Sequence, residues 1–401
     1  MRTDKKVRFM DPVSRIEYME ELFDKGLKLI KEAEENPQSF LDFQSEKDEL
    51  EEYMGGSWKD DFALDEQGKL PEGLKRGVLS EDGLYNLLEE NSEALETLKE
   101  KYRDNPEISA KIRRLNYDAF KKDIVNNGWK VFGAEIYEDG RLAYSFGDTK
   151  ENVYPIYSCT KTILSIAVGI ALDRNLIDIN KDILYYIPEK YKACLSEEQK
   201  EKWEKVTLYR LLTMSVPGFP FRAPDDNYMD FSMGQNDFRP DEISFEYTNI
   251  SSYLVGVALT EAIGEDAWEF IKRNILDPLE ITDATYSRCS KGYFYGASGM
   301  EMSVNDLSKV GLLLYNGGTY NGKRIVSEEY VRKATSVLLM NYEGGYGFYI
   351  WKFHDGFSIN GKFKQKCYIL PKRKLMITYL ADIEDGSNVL RESMEKHILG
   401  L

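Results

Sequence analysis

The feature that most constrains the fold is the placement of strand-like segments at both ends of residues 105–401, around a long, mostly helical middle. Gly133-Ala-Glu-Ile-Tyr137 and Arg141-Leu-Ala-Tyr-Ser-Phe146 flank Glu138-Asp139-Gly140, which reads as two strands joined by a tight turn. Strand character returns only at Gly347–Phe353, Phe357–Ile359, Lys366–Leu370 and Lys374–Leu380, before an amphipathic helix over Asn388–Leu399. One sheet must therefore be assembled from distant parts of the chain. That is an α+β arrangement with helices packed against an antiparallel sheet.

Residues 1–104 have a different texture. They carry 16 basic and 28 acidic side chains, whereas the remainder carries 37 and 41. Apolar residues recur at spacings of three and four through Ile16, Met19, Leu22 and Leu27, and again through Phe40–Leu50. Ser80, followed by acids, is placed to cap a further helix. The reading is a small acidic all-helical domain over 1–104, followed by a second domain over 105–401. An acidic helical face is usually solvated surface, but it also offers a site for a protein partner.

Charge and composition exclude several function classes. A net charge of −16 gives little support for phosphate binding, so no nucleic-acid partner is expected. Two histidines, four cysteines and the lack of CxxC or HExxH spacing argue against a structural zinc site or zincin chemistry. The longest apolar run, Ile163–Leu172, is shorter than the roughly 20 residues a membrane span takes, and the first residues lack a signal-peptide core. The expectation is a cytoplasmic protein with free thiols packed as small hydrophobes and no membrane partner.

The chemistry gathers at Tyr157-Ser158-Cys-Thr-Lys161, which opens that apolar run. Ser-x-x-Lys on a helix puts both side chains on one face, one turn apart. A serine hydroxyl needs a base within reach, and a lysine serves if burial lowers its pKa towards neutrality. Spacing alone is weak, because a chain this long holds about two such pairs by chance. The other, Ser393-Met-Glu-Lys396, sits among charges and reads as surface. Phe245-Glu-Tyr247-Thr-Asn249, just before an apolar helix, supplies a phenol and an amide that could point into a cleft. A buried tyrosine and a capping asparagine are the plainer reading of that pair.

Ser158-Cys-Thr-Lys161, Val206-Thr-Leu-Tyr-Arg-Leu-Leu-Thr-Met-Ser215, Tyr247-Thr-Asn249 and Gly299-Met-Glu-Met-Ser-Val-Asn-Asp-Leu307 occur in one order. Residues 115–400 thereby resemble the penicillin-binding-protein-like serine hydrolases, in the branch of class C β-lactamases, esterases and 6-aminohexanoate-dimer hydrolases. Residues 15–100, through Trp58-Lys-Asp-Asp-Phe62 and Leu70-Pro-Glu-Gly-Leu74, resemble a bacterial helical family of unknown function. The first resemblance implies an antiparallel sheet flanked by helices, an all-helical subdomain, and a site in the cleft between them. It implies Ser158 as the acylated nucleophile, Lys161 as its base, Tyr247 as proton shuttle and Asn249 as the amide that orients substrate. No cofactor is implied. The third motif departs from the family pattern, because Asn360-Gly361-Lys362 stands where Lys-Thr-Gly or His-Gly-Gly is usual. Asn360, Gly361, Lys362 and Phe363 are the substrate-binding candidates there, with the N–H of Lys362 or Phe363 completing the oxyanion hole. Lys362, Lys364 and Lys366 alternate, which suggests an exposed basic edge strand.

Other signals carry less. Gly317-Gly-Thr-Tyr-Asn-Gly-Lys-Arg324 imitates a phosphate loop but lacks its hydroxyl, and Gly296-Ala-Ser298-Gly299 fails as a nucleophile elbow at Met300. A Ser-His-Asp triad would have to draft His354 or His397. The aperiodic stretch Pro217–Asp241 is expected to line or cover the cleft, with Phe219, Phe221, Tyr228 and Phe231 as an aromatic wall. The sequence thus points to a serine hydrolase acting on a small ester or amide. A β-lactamase or D,D-peptidase remains open, as does a non-catalytic protein that senses a ligand.

Overall fold

The structure, a computed structural model, describes residues 10–384 and 386–401. It divides into two compact units, one reaching to Asp123 and taking back Arg391–Leu401, the other Ile124–Leu390. No helix among the described residues is long and apolar enough to cross a membrane.

In the first unit, α1 (Pro12–Lys31), α2 (Pro37–Gly55), α3 (Trp58–Glu66), α4 (Glu81–Lys101) and α5 (Pro106–Asn126) follow in order. Asp11 and Asn36 cap the first two through the backbone N–H groups of Ser14 and Ser39, each with proline at the first helical turn, and Ser80 caps α4 through Gly83. Ile16, Met19, Phe23, Phe43, Leu50 and Leu84 join in one apolar cluster. The structural division differs from a boundary at 104/105. Ile108 and Ile112 of α5 complete a second cluster with Ala33, Phe40, Leu41 and Leu98, so the helical unit continues through α5.

Some of its acids are structural. Asp61 is fully buried and receives Arg15 Nε at 2.8 Å, Arg15 Nη2 at 2.5 Å and the Tyr53 hydroxyl at 3.0 Å. Ser393 is buried too, against the expectation of a surface Ser-x-x-Lys pair. Its Oγ donates to Asp123 Oδ2 at 2.7 Å, while Lys396 is exposed. His397 Nε2 meets the same oxygen at 2.9 Å. Serine and histidine share one acceptor here, so no imidazole stands between hydroxyl and carboxylate as a triad requires.

The second unit is built on β1 (Val131–Glu138), β2 (Arg141–Gly147), β3 (Trp351–Phe353), β4 (Gly356–Gly361), β5 (Gln365–Leu370) and β6 (Leu375–Ala381). They form an antiparallel sheet in the order β2-β1-β6-β5-β4-β3, with Ile136 opposite Ile377 and Thr378 opposite Cys367. Asp139 and Gly140 both take positive φ in the β1–β2 turn, the geometry that follows the strands' own twist. α6 (Thr160–Asp173) and α7 (Asn249–Ile263) pack together, and α8 (Val304–Tyr315) lies on the sheet. A Cβ at Gly311 would come within 2.5 Å of Cys367 Sγ, so only glycine lets α8 approach this closely. Cys159, Cys289 and Cys367 are buried as expected, whereas Cys194 is exposed.

Two sheet details depart from the sequence reading. Phe357–Gln365 is a strand, a turn and the start of another strand, because Phe363 and Lys364 adopt positive φ between β4 and β5. Neither strand is an edge, since β4 pairs with β3 and β5, and β5 with β6. Lys362 and Lys364 therefore sit in a turn, and the three lysines do not alternate along one exposed strand face.

Candidate active site

α6 is buried from Thr160 to Ala171, with no solvent-facing stripe for a charge to use. Lys161, at its start, is 1% exposed. Ser158 precedes it in a short 3-10 turn, Tyr157–Cys159, which the chain enters with Tyr157 at φ 47°. A non-glycine residue in that conformation costs about 1–2 kcal/mol, held here by packing of the Tyr157 ring edge-on to Phe363. Gly361 at the end of β4 faces this turn. A Cβ there would collide with the Ile156 carbonyl and lie 3.0 Å from Cys159 Sγ, so glycine lets the strand close against the serine turn.

From the opposite side comes α7. Thr248 caps it through Ser251 N–H, which leaves Asn249, the first helical residue, free to turn its amide inward. Lys161 Nζ then lies 2.9 Å from Asn249 Oδ1, 2.6 Å from the Ala297 carbonyl and 3.1 Å from Ser158 Oγ. Burial holds its pKa at about 7, far below the ordinary lysine value. All three partners can accept from Nζ, and the lowered pKa favours the uncharged form, which keeps all three contacts. Two N–H groups donate to the amide and the carbonyl, and the remaining lone pair faces the serine O–H. An amine so placed can remove the hydroxyl proton.

Burial pushes the Tyr247 pKa up, and the neighbouring Ser158 side chain pulls it down. Lys161 Nζ sits 5.0 Å from its ring centroid. Asn249 Nδ2 donates to the Tyr295 hydroxyl at 3.3 Å, which fixes the amide so that its oxygen faces the lysine. The serine opens into a cavity of about 740 Å³. Phe221, Arg222, Tyr228 and Tyr295 form its wall beside Asn249, and Tyr342 and Trp351 stand beside Tyr247.

The structure brings together Ser158, Lys161, Tyr247, Asn249, Asn360, Gly361 and Lys362 at this cavity. Phe363 instead packs on Tyr157. The expected aromatic wall divides. Phe221 and Tyr228 line the cavity, but Phe219 is buried against Trp203 and Phe238, and Phe231 is not among the lining residues. Ala297 was not legible as a contributor, because it acts through its carbonyl; its only signal was the glycine-flanked Gly296-Ala-Ser298-Gly299 turn. Arg222, Tyr295, Tyr342 and Trp351 carried no distinguishing spacing. Among the described residues no group of three or more His, Cys, Asp or Glu could hold a metal ion.

Residues 128–396 match the family model described as beta-lactamase. The chain belongs to the β-lactamase family. Membership makes it a hydrolase of the serine type, with the mixed helix and antiparallel-sheet fold that the sequence resemblance implied. Residues 16–100 of this β-lactamase-family chain match a domain of unknown function, DUF4298. Three solved structures share the fold. One, from Bacillus anthracis, is described as a 6-aminohexanoate-dimer hydrolase; it is 20% identical with a TM-score of 0.58, over 70% of this chain and 80% of that one. An octameric penicillin-binding protein homologue from Pyrococcus abyssi is 18% identical with a TM-score of 0.54, over 71% and 76% of the two chains. A β-lactamase from Mycobacterium bovis is 16% identical with a TM-score of 0.51, over 68% and 98%.

Proposed function

We propose that the protein hydrolyses an ester or amide through a covalent acyl-enzyme on Ser158. The observation that carries this reading is the hydrogen-bond set of Lys161, whose buried amine has two acceptors for its N–H groups and its third direction on Ser158 Oγ. Oγ attacks the substrate carbonyl carbon as its proton passes to Nζ. The C–O or C–N bond then breaks, and Tyr247 relays the proton to the departing oxygen or nitrogen. Water, deprotonated by the same groups, releases the acid and restores the serine. The N–H of Ser158 and one from the Lys362–Phe363 turn would hold the oxyanion, a contribution of about 3–4 kcal/mol per donor in comparable sites.

Activity as a β-lactamase or D,D-peptidase is a second reading with less support, since the lysine usual in the third motif is replaced by Asn360. A fluorophosphonate probe should label the wild type at Ser158, located by mass spectrometry, and leave Ser158→Ala unlabelled. Equal labelling of both would remove the assignment. Rapid nitrocefin turnover or stable acylation by penicillin would favour the second reading.

A further inference from the structure

The cavity's charge is unusual for a chain of net charge −16. No aspartate or glutamate is among its lining residues, yet Arg222 and Lys362 are. Neither has an acidic partner among the described residues. Lys362 lies over the Phe363 ring at 4.4 Å, and Arg222 is exposed beside Tyr295. Other cations in the same region pair with carboxylates, as Lys205 does with Asp241 and Arg239 with Glu242. An unpaired guanidinium among aromatic rings holds a positive potential that only solvent or a ligand meets.

Its position distinguishes the two halves of a bound substrate. Tyr247, the group read as protonating the leaving atom, stands with Trp351 and Tyr342, so the leaving group departs on that side. Arg222 belongs to the other wall. The Phe221 carbonyl accepts the Asn249 N–H at 2.7 Å, which ties this loop to the start of α7. The rings of Tyr228 and Tyr295 stand 4.5 Å apart on the same wall. An acyl chain leaving Ser158 in this direction would run over aromatic surface and end at the guanidinium.

We propose that the cleft selects an ester or amide whose acyl chain is apolar and ends in a carboxylate, and that Arg222 reads that charge. This inference rests on the acyl-enzyme reading above. Arg222 is a specificity-determining residue and takes no part in bond making or breaking.

Two p-nitrophenyl esters of matched length test it, the pentanoate and the 4-carboxybutanoate. The wild type is expected to favour the carboxylated ester in kcat/KM, and Arg222→Met to lower that preference at least ~10-fold, chiefly through KM. Added salt should narrow the wild-type preference, as it does for exposed charge pairs. A second arm removes catalysis: Ser158→Ala is titrated calorimetrically with glutaric acid monoanilide and with pentananilide. Tighter binding of the charged anilide, abolished by adding Arg222→Met, supports charge reading even if neither ester is turned over, an outcome that would count against the acyl-enzyme reading alone. A wild type that prefers the pentanoate, a preference unmoved by Arg222→Met, or a Ser158→Ala protein that binds both anilides alike or neither overturns it.

Discussion

Lys161 occupies a position where an ammonium has no carboxylate to meet and an amine has all its hydrogen-bonding directions filled. Because burial depresses its pKa, the folded protein binds fewer protons than the unfolded chain between about 7 and the ordinary lysine value. The sign follows: unfolded molecules hold the extra proton in that window, so stability conferred at this site grows as pH rises. Denaturant unfolding of wild type and Lys161→Met at pH 7.5 and 9.5 should show the difference moving in favour of the wild type by about 2–3 kcal/mol. A constant difference would mean that the lysine is charged in the fold. Tyr247→Phe keeps the ring against Trp351 and removes only the hydroxyl, so a fall of about 10²–10⁴ in kcat with unchanged melting temperature is expected. The lysine and serine were legible because four residues and the apolar run after them define one buried helix. Ala297 was not, since a backbone carbonyl has no side-chain identity to read.

Elements set these atoms in place through close backbone approach. β4 ends against the turn that carries Ser158, and Gly361 makes the contact. Gly361→Ala should cost about 1–3 kcal/mol and lower the labelling rate of Ser158 at least tenfold, as the strand or the turn gives way. Gly73→Ala, where an added Cβ meets nothing within 4 Å, is the control and should stay within about 0.5 kcal/mol, both read by urea denaturation. At this scale the sequence was informative where turn chemistry is local. Asp139-Gly140 announced the β1–β2 hairpin. The β4–β5 turn was hidden, because Phe363 and Lys364 are residues whose composition gives no hint of positive φ. Alternation of lysines thus imitated a strand, and only pairing on both sides of β4 shows that it is interior.

For the whole molecule, the sequence distinguished an acidic helical part from a sheet-bearing part, and each forms a compact unit. Their boundary was displaced because the change in composition near residue 104 precedes the change in packing. α5 has the charge pattern of the second part but buries Ile108 and Ile112 in the first. A fragment ending at Asp104 leaves that cluster open. It should melt less cooperatively by circular dichroism than a fragment carried through Asp123; equal transitions would show that α5 is dispensable to the helical unit. The C-terminal segment returns to the same unit, where Ser393 and His397 meet Asp123, a long-range pairing that no local pattern displays. The catalytic account depends on a neutral amine drawing the proton from Ser158. Its most direct test is the pH dependence of Ser158 labelling by a fluorophosphonate, in wild type and in Lys161→Ala. The expected result is a wild-type rate that rises to a plateau with a midpoint near about 7, and a variant slowed at least a hundredfold at the plateau. A rate flat across pH 5–9, or a variant labelled as fast as wild type, would contradict the account.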